Sequence, residues 1–249
     1  MNTSLPLPNL LSQGVAYHSA LLMFSIFSLR YVFFASLMFS LAARRHGRPA
    51  LAHAIPPSKR QIKHEVAYSF LSIAVMTTIV TSILYGFGWI AHSRLYGQVS
   101  EYGWTWFFIS IPIMLIIHDT LFYWLHRLIH VRALFRHIHR VHHLSRYPTA
   151  WAAFSFHPLE AVLEALIVVC IIFMLPVHPF AFFIFQIIST LLNAYGHCGR
   201  EFSTSGWRQH WLSRWINTPT AHSIHHDLAR HNYGLYFLFW DRLMGTLQE

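Results

Sequence analysis

The sequence predicts an all-α fold: a polytopic membrane helical bundle of about four or five membrane helices, with a cytoplasmic helical cap that holds a histidine cluster. Three observations lead to this fold class. Of the 249 residues, 55% are hydrophobic and only 11% are charged, and the mean hydropathy of +0.40 excludes an ordinary soluble domain. The apolar residues form segments long enough to enter a bilayer. The chain also has 20 histidines, and the clustered ones follow these segments.

Five apolar segments are predicted to enter the membrane. They cover residues 15–43, 66–91, 104–126, 161–175 and 180–195. A full crossing needs about 20 residues, so the last two, which form a hairpin around prolines 176 and 179, are short. The first segment contains Arg30, which is costly at mid-depth unless it snorkels or faces protein. Residues 15–43 are therefore either one span or an interfacial helix followed by a short span.

The distribution of lysine and arginine predicts the orientation. Sixteen of the 18 basic residues lie in the loops after the first, third and fifth segments. Cytoplasmic loops are enriched in such residues, so these loops and the active site are placed on the cytoplasmic face of an integral, multi-pass membrane protein. The same distribution explains the net charge of +9 without a nucleic-acid partner. Without a C-terminal KDEL-type signal, a bacterial inner membrane is favoured over the endoplasmic reticulum.

The histidines of the predicted cytoplasmic face are clustered at helical spacing. The clusters are His126 with His130, His139 with His142 and His143, Asn193 with His197, and His222 with His225 and His226. Residues three or four apart share one face of a helix, so each cluster can direct two or three imidazoles at a common point. So many titratable rings on one face would repel each other on protonation unless a cation held them neutral. The clusters therefore predict a metal site.

The number and type of ligands restrict the metal. A zinc ion takes four protein ligands, or three and a water, so eight or nine histidines indicate two ions. The segment between His126 and His130 lacks the glutamate of an HExxH protease motif. No acidic residue has a histidine three positions later, as bundle-type di-iron proteins require. An all-imidazole dinuclear site favours iron among the redox metals, although affinity order does not exclude copper or zinc.

The ordered motifs between Asp119 and Thr246 resemble the membrane fatty acid hydroxylase/sterol desaturase superfamily of di-iron oxygenases. Besides the histidine clusters, the resemblance rests on Asp119, residues 123–130, residues 157–160, residues 232–234 and residues 239–246. It covers about half of the chain. Since the sequence has no repeat, low-complexity tract or linker, we expect one membrane domain, 1–249. The resemblance implies that residues 104–249 form the catalytic region, while residues 1–103 match only as N-terminal membrane spans.

The resemblance also implies the ligand set. The expected ligands of two iron ions are His126, His130, His139, His142, His143, His197, His222, His225 and His226, and no catalytic residue is predicted beyond them. Asn193 departs from members that have a histidine at this position. It is similar to the asparagine of related acyl desaturases that holds a metal-bound water, so we expect a water-mediated role that leaves one position open for oxygen.

Acidic residues near the clusters are predicted partners of the ligands. Ligating histidines usually donate their second N–H to a carboxylate or carbonyl, and the candidates are Asp119, Glu160, Asp227 and Asp241. His157 is a further candidate for such a supporting contact. For Asp227 and Asp241, a surface ion pair with Arg230 or Arg242 is the alternative.

These features predict an O2-dependent, monooxygenase-type oxidoreductase that hydroxylates or desaturates an unactivated C–H bond of a bilayer lipid, of sterol or fatty acyl type. The ligand set does not separate the two reactions. Neither a GxGxxG motif nor a CxxCH motif is present, so we expect a separate electron donor, a ferredoxin or cytochrome with its reductase. The alternative is a histidine-rich membrane metal transporter or metal-binding protein, although transporters place their ligands at mid-membrane.

Overall fold

The computed structural model describes residues 10–44, 48–202, 210–211 and 213–248. These residues are mostly helical, which confirms the predicted all-α class. The helices are α1 (Leu10–Ala43), α2 (Lys59–Thr81), α3 (Gly103–Ile129), α4 (Arg132–Ile138), α5 (Arg140–His143), α6 (Pro158–Met174), α7 (Pro179–Gly196), α8 (Pro219–Leu228) and α9 (Phe239–Leu243). Two short strands, β1 (Arg48–Pro49) and β2 (Arg200–Glu201), pair antiparallel with Arg48 opposite Glu201.

Within the described ranges, four helices are long and apolar enough to cross a membrane. They are Ala16–Ala43, Lys59–Gly86, Gly103–Ile129 and Pro179–Gly196. The predicted second segment ends too late, because the helical stretch ends with a π-turn at Ser82–Gly86 and the left-handed Gly88 precedes a separate 3-10 turn at Trp89–His92. Helix α6 has 17 residues and a length of about 26 Å, less than the hydrocarbon thickness of about 30 Å.

Residues 15–43 lie in a single helix, which decides between the two alternatives for this segment. Arg30 is buried and faces the bundle, where its Nη1 donates to Oε1 of Gln186 on α7 at 3.1 Å. The arginine is thus tolerated in the membrane because it contacts protein rather than lipid tails.

The long helices pack around a shared interior. Helix α2 lies against α1 and α6, while α3 lies against α6 and α7, and α1 also contacts α7. Apolar residues of α3, α6 and α7 form one core cluster together with Leu235 and Tyr236 near the C-terminus. A second cluster joins α2 to α6. This packing holds the ends of α3 and α7 close to the short helices α5 and α8.

Local signals fix where these helices start. Helices α6, α7 and α8 each begin with proline, which suits the first helical position because its missing N–H would be unpaired there. The residue before each proline accepts a hydrogen bond from a first-turn N–H through its side chain, as Thr218 does from Ala221. Helix α8 ends at Leu228, and the capping residue that follows, Ala229, is left-handed with a φ of 54°.

Candidate metal centre

Nine buried or half-buried histidines converge where four parts of the chain meet. The last turn of α3, the α5 segment, the end of α7 and helix α8 provide them. They form two groups, within each of which the potential ligand atoms all lie within 4.8 Å of one another. The five-histidine group is His126, His130, His139, His143 and His225, and the four-histidine group is His142, His197, His222 and His226. These are the nine histidines that the resemblance implied as ligands.

The two HxxHH clusters are shared between the groups. In the α5 cluster, His139 and His143 belong to the five-histidine group, while His142 belongs to the other. Helix α8 reverses this arrangement. His225 belongs to the five-histidine group, whereas His222 and His226 belong to the four-histidine group. Residues four apart lie on one helix face, so the first and last histidine of each cluster belong to the same group. The histidine between them faces the other group.

Within each group the Nε2 atoms face each other at short distances. In the five-histidine group, Nε2 of His139 lies 3.0 Å from that of His126 and 3.1 Å from that of His143. In the four-histidine group, Nε2 of His197 lies 2.9 Å from that of His222 and 3.3 Å from that of His142. The imidazoles thus point inward with the same ring nitrogen.

Acceptors on the outer side of the rings fix this orientation. Nδ1 of His126 donates to the Tyr233 carbonyl at 2.8 Å, and Nδ1 of His225 donates to the His231 carbonyl at 2.7 Å. Nδ1 of His197 donates to the carbonyl of Asn193 at 2.9 Å. A carbonyl oxygen only accepts, so these rings carry their proton on Nδ1 and present a bare Nε2 lone pair inward.

The donor set fits two cations. In His126 and His139 the Nδ1 protons are committed to acceptors, so the Nε2 atoms that meet at 3.0 Å are both lone pairs. Two such lone pairs repel each other unless a cation lies between them. Two nitrogens that are each about 2.1 Å from one ion are about 3 Å apart at the 90° angle of octahedral coordination and about 3.4 Å apart at the tetrahedral angle. All-imidazole sets of this kind suit iron, copper or zinc.

Burial keeps these rings neutral. It lowers the pKa of His197 and of His225 to about 4, although hydrogen bonds to backbone carbonyls oppose the shift. Burial, together with the neighbouring imidazoles, holds the pKa of His142 and His226 well below the ordinary value. Neutral imidazole is the form that ligates metal, so burial maintains the binding form near neutral pH.

Asn193 has an unused acceptor near the four-histidine group. Its Nδ2 donates to the Ala153 carbonyl at 2.7 Å, while its buried Oδ1 has no hydrogen-bond partner among the described residues. It lies one helical turn before His197, and its carbonyl accepts from the ring of that histidine. An orphaned buried acceptor beside a ligand is consistent with the predicted water-mediated role, because a metal-bound water donates hydrogen bonds.

Of the four predicted carboxylates, Glu160 alone contacts a ligand histidine directly. Its Oε1 accepts from Nδ1 of His139 at 2.6 Å, and both side chains are buried. Asp227 instead pairs with Arg146 at 2.6 Å and His53 at 3.1 Å. The ion-pair alternative therefore describes Asp227 better, although Arg230 is not the partner.

Asp119 and Asp241 accept hydrogen bonds from the backbone of residues 233–237, a segment that contacts a ligand histidine. Asp119 Oδ1 accepts from the backbone N–H groups of residues 235–237 at 2.6 to 3.3 Å. The carboxylate of Asp241 accepts from the N–H groups of Tyr233 and Gly234, both at 2.9 Å. Since the Tyr233 carbonyl orients His126, these carboxylates support a ligand through the backbone rather than by the direct contact predicted.

Two further histidines, His157 and His118, lie outside both histidine groups. His157 caps α6 by accepting from the N–H of Leu159 at 3.2 Å, so it serves the helix start rather than a ligand. His118, for which we predicted no role, is buried and stacks on Tyr236. Its spacing of eight residues before His126 is the one signal that could have placed it on the inner face of α3.

Comparison with known proteins identifies the family. The sequence model of the fatty acid hydroxylase family matches residues 111–246, which contain both histidine groups. The chain belongs to the fatty acid hydroxylase family. The family match covers slightly more than half of the chain and starts within α3, so the helices before it lie outside the shared region.

Two relatives in this family are named for reactions on sterols. The Delta(7)-sterol 5(6)-desaturase of Gibberella zeae is 33% identical over 192 residues, which make up 76% of this chain and 56% of that protein. The lathosterol oxidase of Rattus norvegicus is 30% identical over 193 residues, 77% of this chain and 62% of that protein. The chain thus spans less than two thirds of these relatives. No solved structure matches it significantly.

Proposed function

We propose that this member of the fatty acid hydroxylase family is a multi-pass membrane oxidoreductase that uses two iron ions and O2 to desaturate or hydroxylate a C–H bond of a sterol-type lipid. The observation that carries the proposal is the pair of histidine groups, whose Nε2 atoms converge at 2.9 to 3.3 Å. Family membership supports iron as the metal. The names of the two relatives support a sterol as substrate and desaturation as the first reaction to test.

Irons held by the nine histidines would supply the redox chemistry that uses O2 against an unactivated C–H bond. In desaturation, the lipid loses two hydrogens, and O2, two protons and two electrons complete the formation of two waters. In hydroxylation, one oxygen atom enters the C–H bond and the other leaves as water. Both reactions consume two external electrons, which we assign to a ferredoxin or cytochrome with its reductase.

The chain's own residues orient the site and keep it dry. Hydrogen bonds on Nδ1 hold the inward orientation of some of the ligands, as the bond to Glu160 does for His139. Among the described residues, Nδ1 of His143, His222 and His226 has no such partner. The Phe122 ring lies 4.8 Å from the His126 ring, and the Phe156 ring lies 5.3 Å from the His142 ring. These aromatic rings exclude water on the side of the site that faces the bundle interior, where the lipid has to enter.

We also propose that this site lies at the cytoplasmic surface of the membrane, and the distribution of basic residues supports this side. The third predicted span ends at the first ligand histidines, and the loop that follows contains five arginines. A lipid whose substrate carbon lies just below the headgroups reaches such a site without leaving the bilayer.

Lipid turnover tests the proposed function. The full chain is expressed in cells supplied with a sterol, and whole lipid extracts are compared by mass spectrometry with extracts from cells that lack it. We expect a sterol that has lost two hydrogens or gained one oxygen. His142→Ala should abolish the product, whereas the exposed His92→Ala, away from both groups, should not. Metal accumulation or export without lipid change would favour the alternative, a metal-binding or transport protein.

A further inference from the structure

A pocket of about 380 Å³ lies at one end of the bundle, outside the candidate metal centre. Its walls come from the end of α1, the loop of residues 49–57, the loop of residues 147–149, the turn of residues 198–200 and Ser223 of α8. Among the described residues that line it there is none of the nine ligand histidines. Its volume falls in the range of about 300–1,000 Å³ that is typical of small-molecule sites.

The inner surface of this pocket is mostly apolar. Alanines, prolines and Ile55 provide much of the lining, and the Ile55 side chain is 69% exposed. Two of the polar side chains in the wall are already used, because the Thr149 hydroxyl donates to Glu65 and the Cys198 thiol donates to the Arg200 carbonyl. The pocket therefore suits an apolar group such as a hydrocarbon chain.

The pocket lies where the membrane helices end. Helix α1 ends at Ala43 and α2 begins at Lys59, and residues just outside both helices line the pocket. Helix α7 ends at Gly196, two positions before the lining residue Cys198. All three helices are candidate membrane spans. A lipid of the adjacent leaflet can thus insert a chain into the pocket while its headgroup stays at the membrane surface.

Basic residues flank the opening of the pocket. Residues 44–64 contain six lysines and arginines and no aspartate or glutamate. Arg44 directly follows a lining residue, Arg48 directly precedes one, and Lys59 lies two positions after one. These three side chains, the basic rim, are exposed and form no ion pair within the described ranges. Their charges are available to an anionic group at the membrane surface.

Acidic residues close to the pocket are engaged elsewhere. Glu201 lies opposite Arg48 in the strand pair but is only 4% exposed. Its carboxylate accepts from the hydroxyls of Tyr195 and Thr220. Asp227 is held in the ion pairs described above. The opening of the pocket therefore has a positive charge.

We propose that this pocket binds an anionic phospholipid, with one acyl chain in the apolar pocket and the phosphate beside the basic rim. A net negative headgroup complements the rim, whereas the choline of a zwitterionic lipid offsets its phosphate. A sterol would fill the apolar part but would leave the basic rim without a partner. This lipid site goes beyond the proposed reaction and does not depend on it.

The wall of the pocket connects the bound lipid to the four-histidine group. Cys198 directly follows the ligand His197, and Ser223 directly follows the ligand His222. A lipid that packs against this wall restricts the backbone next to two ligands. Since a molecule that binds only the folded protein stabilises it, the anionic lipid should also raise the Tm.

Lipid binding tests the proposal without turnover. The full chain is purified with its metal, depleted of lipid in mild detergent, and incubated with radiolabelled phosphatidylglycerol or phosphatidylcholine that have identical acyl chains. We expect phosphatidylglycerol to bind about tenfold or more tightly, because each basic residue near an anionic headgroup contributes about fivefold in affinity. The preference should shrink in about 0.5 M salt, which screens exposed charges.

Variants separate the charge of the rim from the shape of the pocket. The combined change Arg44→Gln, Arg48→Gln and Lys59→Gln should remove most of the preference for phosphatidylglycerol. A control variant with the same loss of charge at exposed positions outside the pocket should retain the preference. Its three positions are Arg132, Arg136 and Arg140. Ala42→Trp, which fills the pocket from α1, should weaken the binding of both phospholipids.

Several outcomes would overturn the phospholipid site. Equal binding of the two phospholipids by the unmodified protein would do so, even if a variant failed to fold. A preference that survives in the rim variant, or binding unchanged by Ala42→Trp, would do so as well. Displacement of phosphatidylglycerol by cholesterol would assign the pocket to a sterol instead. Protein that forms product without the preference would refute this inference alone, and loss of product with the preference intact would refute only the proposed reaction.

Discussion

Glu160 and His139 form a buried hydrogen bond in which Nδ1 of the histidine lies 2.6 Å from Oε1 of the carboxylate. The two side chains are 2% and 1% exposed, respectively. Glu160 lies in the first turn of α6, whereas His139 immediately precedes α5. The bond therefore ties a membrane helix to the loop that supplies ligands to both histidine groups.

Loss of this carboxylate should weaken metal binding by the five-histidine group. We expect Glu160→Ala to reduce metal affinity by about 10- to 100-fold, because the His139 ring loses the partner that fixes its orientation. Glu160→Gln retains an acceptor oxygen and should lose less. Metal retention during dialysis against a graded series of chelator concentrations measures this. Glu101→Gln, which changes an exposed carboxylate, should bind metal normally, and normal retention by Glu160→Ala would contradict the assigned role.

Asp119 should be important for stability. Its Oδ1 accepts three backbone N–H groups in residues 235–237 and is fully buried. Asp119→Ala leaves these donors without a partner, so we expect a loss of about 2–4 kcal/mol, seen as a clearly lower Tm in detergent. Asp227→Ala removes a partly exposed ion pair and should cost about 1 kcal/mol or less. Equal Tm changes in the two variants would argue against this distinction.

Gly234 should not tolerate a side chain. A Cβ at this position would overlap the Phe237 carbonyl oxygen and lie 3.1 Å from Oδ2 of Asp241. We therefore expect Gly234→Ala to displace the 233–237 segment and lower the yield of monodisperse protein. Gly97→Ala, which meets no atom within 4 Å, is the matched control. Size-exclusion profiles of the two variants that coincide with the unmodified protein would refute this prediction.

Acid should release the metal and destabilise the protein. The folded-state pKa of His197 and of His225 is lowered by burial to about 4, below the unfolded value of about 6.5. The unfolded chain then binds more protons than the native protein, so stability falls as pH decreases from about 6.5 toward 4. Metal content and Tm measured at stepwise lower pH should decline together in this window. A constant metal content down to pH about 4 would contradict imidazole ligation.

The sequence predicted which histidines converge on one site, but not how they are distributed between the two groups. Spacing of three or four residues indicates a common helix face, and the family motifs identified all nine histidines. The assignment of His142 and His225 to opposite groups depends on how α5 and α8 are placed against each other, which spacing within one helix does not encode. Four of the five predicted membrane segments coincide with helices long and apolar enough to cross a membrane, since length and hydropathy are local properties, although the second was predicted to end five residues too late.

The partners that orient the ligands were the hardest feature to predict. Glu160 could be proposed because acidic residues are rare in this chain. The carbonyls of Tyr233 and His231 could not, because every residue has a carbonyl and its position depends on the tertiary fold. Arg30 likewise had no explanation in sequence, since Gln186 is 156 positions away.

Metal stoichiometry tests the central claim most directly. The full chain is purified in mild detergent and saturated with ferrous iron under anaerobic conditions, and iron per chain is measured by elemental analysis. We predict two irons in the unmodified protein and about one in His143→Ala and in His142→Ala, which alter the five- and four-histidine groups, respectively. One iron or none in active, saturated protein would contradict the assignment of two metal sites.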